Sequence, residues 1–91
     1  MYLHLGNSAM VRKRDILGLF DLDNTSQSRR TRDFLSAAEK NGRVVNASGA
    51  ELPKSFVLCA EQGAGTQTVY LSQLNSTTLA RRSEGSAFEE N

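Results

Sequence analysis

The feature that most constrains the fold is an apolar stretch that is hydrophobic on both of its strand faces. Residues 11–22 form the longest extended segment of the sequence. Side chains alternate along a strand, so Ile16 and Phe20 should lie on one face and Leu19 on the other. A strand that is apolar on both faces lies at the centre of its sheet or in a subunit contact. The candidate interface residues are Ile16, Leu17, Leu19 and Phe20.

Length and cysteine content restrict the fold further. A chain of 91 residues supports one domain, and 38% hydrophobic with 23% charged residues is typical of a globular chain. Cys59 is the only cysteine, which excludes an intramolecular disulfide and a zinc site built from several cysteines of one chain. Cys59 lies between apolar neighbours in a predicted strand, so we expect it to act as a small buried hydrophobe.

The hydrophobic pattern predicts an α+β domain with a mainly antiparallel sheet of about five strands, one main helix and a short C-terminal helix. Gly42 is expected to end the main helix, and Asn75 or Ser76 to cap the last one. The predicted strands span residues 2–5, 11–22, 43–46, 54–60 and 68–72, and the helices span 26–41 and 77–82. Residues 1–82 form the domain, and residues 83–91 are expected to be a flexible, polar, acidic tail.

The N-terminus has neither a basic segment nor an apolar run of signal-peptide length. No window approaches the roughly 20 apolar residues of a membrane span. We therefore expect a cytoplasmic protein with no membrane partner.

A phosphatase-like motif follows the apolar stretch. Asp21 and Asp23 stand two residues apart at the end of a predicted strand, as in haloacid dehalogenase-type phosphatases, where one aspartate attacks phosphorus. The lysine and the further acidic pair that such enzymes place on later strands are missing, and only 66 residues follow Thr25. The favoured interpretation is that these aspartates close a strand and that Asn24 caps the helix.

Other potential catalytic or metal-binding signals are isolated. His4 is the only histidine, so one chain cannot assemble a histidine pair or a Ser-His-Asp triad, and we expect a solvent-facing strand residue. The sequence therefore predicts no catalytic residue, no metal site and no cofactor.

The positive charges are unevenly distributed. The net charge is only +1, but residues 1–82 carry eleven basic and seven acidic side chains, while Glu84, Glu89 and Glu90 make the tail acidic. Eight cations fall in three clusters, and the cluster at the start of the main helix opposes the helix dipole. An anionic partner would offset that cost, although a solvated surface is an equally open interpretation. The clusters are Arg12-Lys13-Arg14, then Arg29, Arg30 and Arg32, then Arg81-Arg82.

Read end to end, residues 1–82 resemble the RemA/RemB family of bacterial extracellular-matrix regulatory proteins. The segments that carry the resemblance are 1–7, 11–25, 30–35, 42–46, 52–57 and 68–72, among them Gly42-Arg43-Val44-Val45-Asn46 and Thr68-Val69-Tyr70-Leu71-Ser72. The resemblance implies a small α+β domain that assembles into closed rings and switches on biofilm matrix genes. Its RemA-type members are DNA-binding transcription activators without enzymatic activity.

The sequence departs from RemA-type members just before residues 56–60. They carry an arginine-rich DNA-binding stretch there, whereas this chain has Leu52-Pro53-Lys54-Ser55.

The expected function is a ring-forming, non-enzymatic regulator that contacts DNA phosphates. The alternative is a partner or assembly module that does not bind DNA, for which a RemA-like paralogue is a candidate partner. The candidate DNA-binding residues are Arg12, Lys13, Arg14, Arg29, Arg30, Arg32 and Lys54.

Overall fold

A computed structural model describes residues 2–7, 9–22, 29–61 and 65–89 of the chain. The strands are β1 (Tyr2–Gly6), β2 (Ala9–Arg12), β3 (Ile16–Asp21), β4 (Val44–Asn46), β5 (Ser55–Ala60) and β6 (Gln67–Ser72). The helices are α1 (Arg29–Lys40) and α2 (Ser76–Glu89), and a single 3-10 turn (Lys13–Asp15) joins β2 to β3. None of the helices in these ranges is long and apolar enough to cross a membrane.

The strands form two sheets rather than one. β1 and β2 pair as an antiparallel hairpin, and the other four strands form a sheet in the order β3-β5-β6-β4. Within that sheet β3, β5 and β6 are antiparallel, whereas β4 runs parallel to β6. The predicted α+β class is confirmed, with six described strands in place of about five.

Both faces of the four-stranded sheet are covered, so the domain has three layers. α1 packs on one face, where Ala38 meets Phe56 and Val69. The hairpin and α2 pack on the other face, which buries Leu3, Leu5, Val11 and Leu79 against Val57 and Cys59. Because strand side chains alternate, neighbouring residues of β5 face opposite layers, and Phe56 and Val57 illustrate this.

The predicted single strand over residues 11–22 is wrong. It breaks at the 3-10 turn Lys13–Asp15, where the backbone N–H of Ile16 bonds to the carbonyl of Lys13. The two halves then pair with different partners, β2 with β1 and β3 with β5. The polar run that interrupts the apolar stretch is therefore where the chain passes from one sheet to the other.

The predicted placement of Ile16 on the same face as Phe20 is also wrong, whereas Leu19 and Phe20 lie on opposite faces, as predicted. Ile16 pairs with Cys59 but Gly18 pairs with Leu58, so one extra residue forms a β-bulge at Leu17. The bulge puts Ile16 and Leu19 on the same face, toward the hairpin and α2. Among the described strands β3 lies at the edge of its sheet, so a central position does not explain its two apolar faces, and the subunit contact stays a prediction.

The end of α1 and the start of α2 agree with the prediction to within one residue, whereas the predicted start of the main helix at residue 26 lies outside the described residues. Gly42 has φ +69 and follows α1, while the N–H of Gly42 bonds to the Glu39 carbonyl and that of Arg43 to the Ala38 carbonyl. This is the Schellman pattern expected of a C′ glycine. Asn75 Oδ1 caps α2 by accepting from the Thr78 N–H at 2.7 Å. The backbone of α2 continues past the predicted end at Arg82 to Glu89, and the flexibility of the tail stays a prediction.

Candidate nucleic-acid interface and assembly surfaces

The first basic cluster lies at the turn between the two sheets. Arg12 ends β2 opposite Tyr2 of β1, and Lys13 and Arg14 follow in the 3-10 turn. Together with Tyr2 they line an open groove of about 520 Å³. The side chains of Arg12 and Arg14 are exposed, whereas Lys13 is half-buried. This groove presents cations beside an aromatic ring, a combination suited to phosphate and nucleotide surfaces.

The third basic cluster lies next to the first. The Nζ of Lys13 donates a hydrogen bond to the backbone carbonyl of Ser83 on α2. Arg81 and Arg82 directly precede Ser83 and are exposed. The contact therefore places the turn next to the segment of α2 that carries the third cluster, although the two are far apart in sequence, and we call the two clusters together the joined cationic surface.

The second basic cluster is on the other side of the domain. Arg29, Arg30 and Arg32 are exposed at the start of α1. α1 covers the sheet face opposite the hairpin and α2. The three basic clusters of one protomer therefore lie on two separate surfaces.

Lys54 is separated from the first cluster as well. Its N–H donates to the Ser72 carbonyl and its own carbonyl accepts from the Leu22 N–H, so it lies at the Asp21 end of β3. The Arg12-Lys13-Arg14 cluster lies at the Ile16 end. Five residue steps lead from Ile16 to Asp21, so the two ends are about 17 Å apart at roughly 3.3 Å per residue.

The four candidate interface residues fall into two pairs. Ile16 and Leu19 are half-buried against the core, where they support Cys59 and Val57. Leu17 is 56% exposed on the bulge, and Phe20 is 44% exposed. The surface of β3 available to a partner is therefore Leu17 and Phe20.

Phe20 is held in place by its neighbours across and along the sheet. Its ring stacks on Phe56 with centroids 4.8 Å apart and planes inclined by 18°. The same ring lies over Gly18, where an added Cβ would come within 2.7 Å of it. Phe20 and Phe56 then line an apolar groove of about 240 Å³ together with Phe34, Leu58, Arg30 and Thr31.

Sequence reasoning missed several exposed apolar side chains. Tyr2 and Met10 stand on the outer face of the hairpin, and Val45 on edge strand β4. Leu52, in the loop between β4 and β5, is 86% exposed. In the sequence, Leu52 stands out only as a leucine next to a proline in a predicted loop, with no periodic hydrophobic pattern around it.

A small polar pocket of about 230 Å³ lies between the hairpin and the sheet. Burial, with a smaller effect from Asp15, raises the pKa of the Cys59 thiol to about 11. Burial also raises the pKa of Tyr70, aided by Cys59, Glu61 and Asp15. A thiol that stays protonated at neutral pH is a poor nucleophile, so the predicted structural role of this buried cysteine is supported.

The remaining chemical candidates are dispersed. His4 is exposed on β1, as predicted. Asp21 ends β3, while Asp23 and Asn24 lie outside the described residues. Among the residues the structure describes, no three His, Cys, Asp or Glu side chains gather closely enough to hold a metal ion.

Comparison with known proteins gives matches over nearly the whole chain. Residues 2–82 match the model of a family described as RemA-like, extracellular matrix regulatory protein A-like. The chain is also similar to extracellular matrix regulatory protein B of Bacillus subtilis (strain 168), with 36% identity over 84 residues. That match covers 92% of this chain and 91% of the Bacillus protein.

Proposed function

Because the chain belongs to the RemA-like family of extracellular matrix regulatory proteins, we propose that it regulates biofilm matrix genes in the cytoplasm without enzymatic activity. In this proposal the chain assembles into a homo-oligomeric ring and contacts DNA phosphates through its basic clusters. A RemA-like paralogue is a further candidate partner.

The observation that carries the DNA proposal is the joined cationic surface. The Lys13–Ser83 hydrogen bond holds the turn that carries Arg12 and Arg14 against the segment of α2 that carries Arg81 and Arg82. Exposed arginines bind phosphate oxygens through charge-assisted and often bidentate hydrogen bonds. Such contacts supply affinity and set the register of a protein on the duplex, but they carry no base specificity.

The helices favour backbone contact over base readout. α1 is packed against the sheet through Phe34, Leu35 and Ala38, and its exposed side carries arginines. Arginine-rich surfaces of this kind suit bent or wrapped DNA, whose sequence is read through deformability.

Ring assembly would strengthen weak contacts. A protomer with a few phosphate contacts binds weakly at physiological salt. A ring repeats the same surface around its rim, so linked contacts gain avidity without new chemistry. The exposed Leu17 and Phe20 on edge strand β3 are the interface residues that the structure leaves available.

The test is a DNA titration by fluorescence anisotropy at several salt concentrations, with the oligomer mass measured by light scattering. For the wild-type protein we expect affinity that falls steeply as salt rises. Changing both Arg12 and Arg14 to Ala should reduce the slope of log affinity against log salt by roughly 0.9 for each phosphate that the protein no longer neutralises.

The single variant Arg14→Ala is compared with a matched control, Lys40→Ala, which also removes one exposed cation but lies at the C-terminal end of α1, outside the candidate set. The control should leave the slope near that of the wild type. An equal reduction of the slope with Lys40→Ala would mean that net charge alone drives binding. A monomeric mass would contradict the ring.

One observation favours the alternative, a family partner module that regulates without binding DNA. The loop in which the resemblance implies arginines holds Leu52 and only one cation, Lys54. Absence of DNA binding at low salt, together with an intact oligomer, would select this alternative.

A further inference from the structure

We propose that the loop between β4 and β5 is an assembly element, in which Leu52 of one copy inserts into the apolar groove beside Phe20 of the next copy. This inference rests on the proposed self-assembly and names the two surfaces that meet.

Leu52 projects from its own protomer into solvent. At 86% exposure it is the most exposed of the large apolar residues in the described part of the chain. It does not line the groove of its own protomer. Burial of this side chain by a partner would remove its apolar surface from water, which favours association.

The loop that presents Leu52 is braced by several hydrogen bonds. The Oδ1 of Asn46 accepts hydrogen bonds from the Ser48 N–H at 2.9 Å and from the Ser48 hydroxyl at 2.5 Å. The Glu51 N–H closes a turn onto the Ser48 carbonyl at 3.2 Å. Asn7 on the β1–β2 side donates to the Ala47 carbonyl at 3.3 Å. A preordered loop loses little conformational entropy when it docks.

The groove has the size and lining for one aliphatic side chain. Its walls are Phe20, Phe34, Phe56 and Leu58, with Arg30 and Thr31 from α1. About 240 Å³ is less than the roughly 300–1,000 Å³ typical of small-molecule pockets. A protruding leucine is therefore a better match than a cofactor.

Charge complementarity identifies the occupant as a second copy of this chain. Exposed Glu51 stands next to Leu52, and exposed Arg30 lines the groove. Insertion of Leu52 brings these opposite charges together at the rim of the contact. When Leu52 and the groove of one copy engage two different neighbours, the contact is head-to-tail and repeats from copy to copy, as ring closure requires. A wild-type mass above that of a dimer distinguishes this arrangement from a reciprocal two-fold pair.

The experiment compares oligomer masses by light scattering for the full chain and three aspartate variants. Leu52→Asp removes the inserted side chain, and Phe20→Asp puts a charge in the groove. Met10→Asp is the matched control, since Met10 is an exposed apolar residue on the outer face of the hairpin. We expect Leu52→Asp and Phe20→Asp to be monomeric, and Met10→Asp to keep the wild-type mass.

A mixture of the two monomeric variants tests the contact between Leu52 and the groove on its own. The intact Leu52 of the Phe20→Asp chain can still enter the intact groove of the Leu52→Asp chain. At high protein concentration the mixture should therefore form a species of two chains and no larger one. A second variant pair, Arg30→Glu alone and combined with Glu51→Arg, should lose and then regain assembly, even if Phe20→Asp does not fold.

The outcomes separate this inference from the proposed assembly. A wild-type oligomer whose mass is unchanged by Leu52→Asp overturns the inference and leaves assembly in place. Monomeric variants that never form a two-chain species overturn the head-to-tail contact. A monomeric wild-type protein overturns the proposed assembly, and the inference with it.

Discussion

The hydroxyl of Ser72 donates a hydrogen bond to the carbonyl oxygen of Leu5 at 2.6 Å, which ties the four-stranded sheet to the hairpin. Ser72 and Leu5 are both fully buried. The same hydroxyl accepts from the Leu74 N–H at 3.1 Å, and Ser55 on the neighbouring strand donates to the Leu74 carbonyl at 2.6 Å. The hydroxyls of Ser72 and Ser55 thus provide hydrogen-bond partners for backbone groups of Leu5 and Leu74, where β1, β6 and the start of α2 meet.

Replacing Ser72 with Ala should destabilise the fold by about 1–3 kcal/mol, because it leaves the Leu5 carbonyl and the Leu74 N–H without this partner in a buried site. Urea denaturation followed by circular dichroism measures the change in the free energy of unfolding. Ser36→Ala, at an exposed position of α1, should stay within about 0.5 kcal/mol of the wild type. A Ser72→Ala variant as stable as the wild type would show that the two groups find other partners.

The C-terminal end of α1 gives a second stability prediction. Gly42 has φ +69, and a Cβ built there meets no atom within 4 Å. Gly42→Ala should therefore cost only the left-handed backbone penalty, about 1–2 kcal/mol. Gly42→Asn should cost less, since asparagine tolerates this conformation. Equal destabilisation by the two variants in thermal unfolding would contradict a backbone origin.

The sequence predicts the central strands and α1 well, because their signals are local. Gly42 marks the helix end, and the alternation in β5 sets which residues face which layer. The bulge at Leu17 was not predictable from alternation, since it depends on how β3 aligns with β5. A glycine within the strand, Gly18, was the available hint.

Some features of the candidate site could likewise be predicted from local sequence, whereas others depend on the tertiary structure. The basic clusters are visible in the sequence, but their grouping is not, because it depends on which layer each element joins. The hydrogen bond from Lys13 to Ser83 unites two clusters, while the three layers separate the α1 arginines from them. Leu52 was missed because one apolar residue in a loop is ordinary until its exposure is known.

The buried thiol of Cys59 should make the protein less stable in alkaline solution. Burial, and to a lesser extent Asp15, raises the pKa of this thiol from 9.0 to about 11, so the folded state favours the protonated form. The preference of the folded state for the protonated thiol contributes fully to the free energy of unfolding below pH 9 and is lost as the pH rises through 11. The loss in the free energy of unfolding is at most about 2–3 kcal/mol. Urea midpoints measured across that range should fall less steeply for Cys59→Ala than for the wild type. Tyr70, whose raised pKa acts in the same direction, remains in both proteins. Parallel pH profiles would assign the alkaline destabilisation to Tyr70 and the rest of the chain.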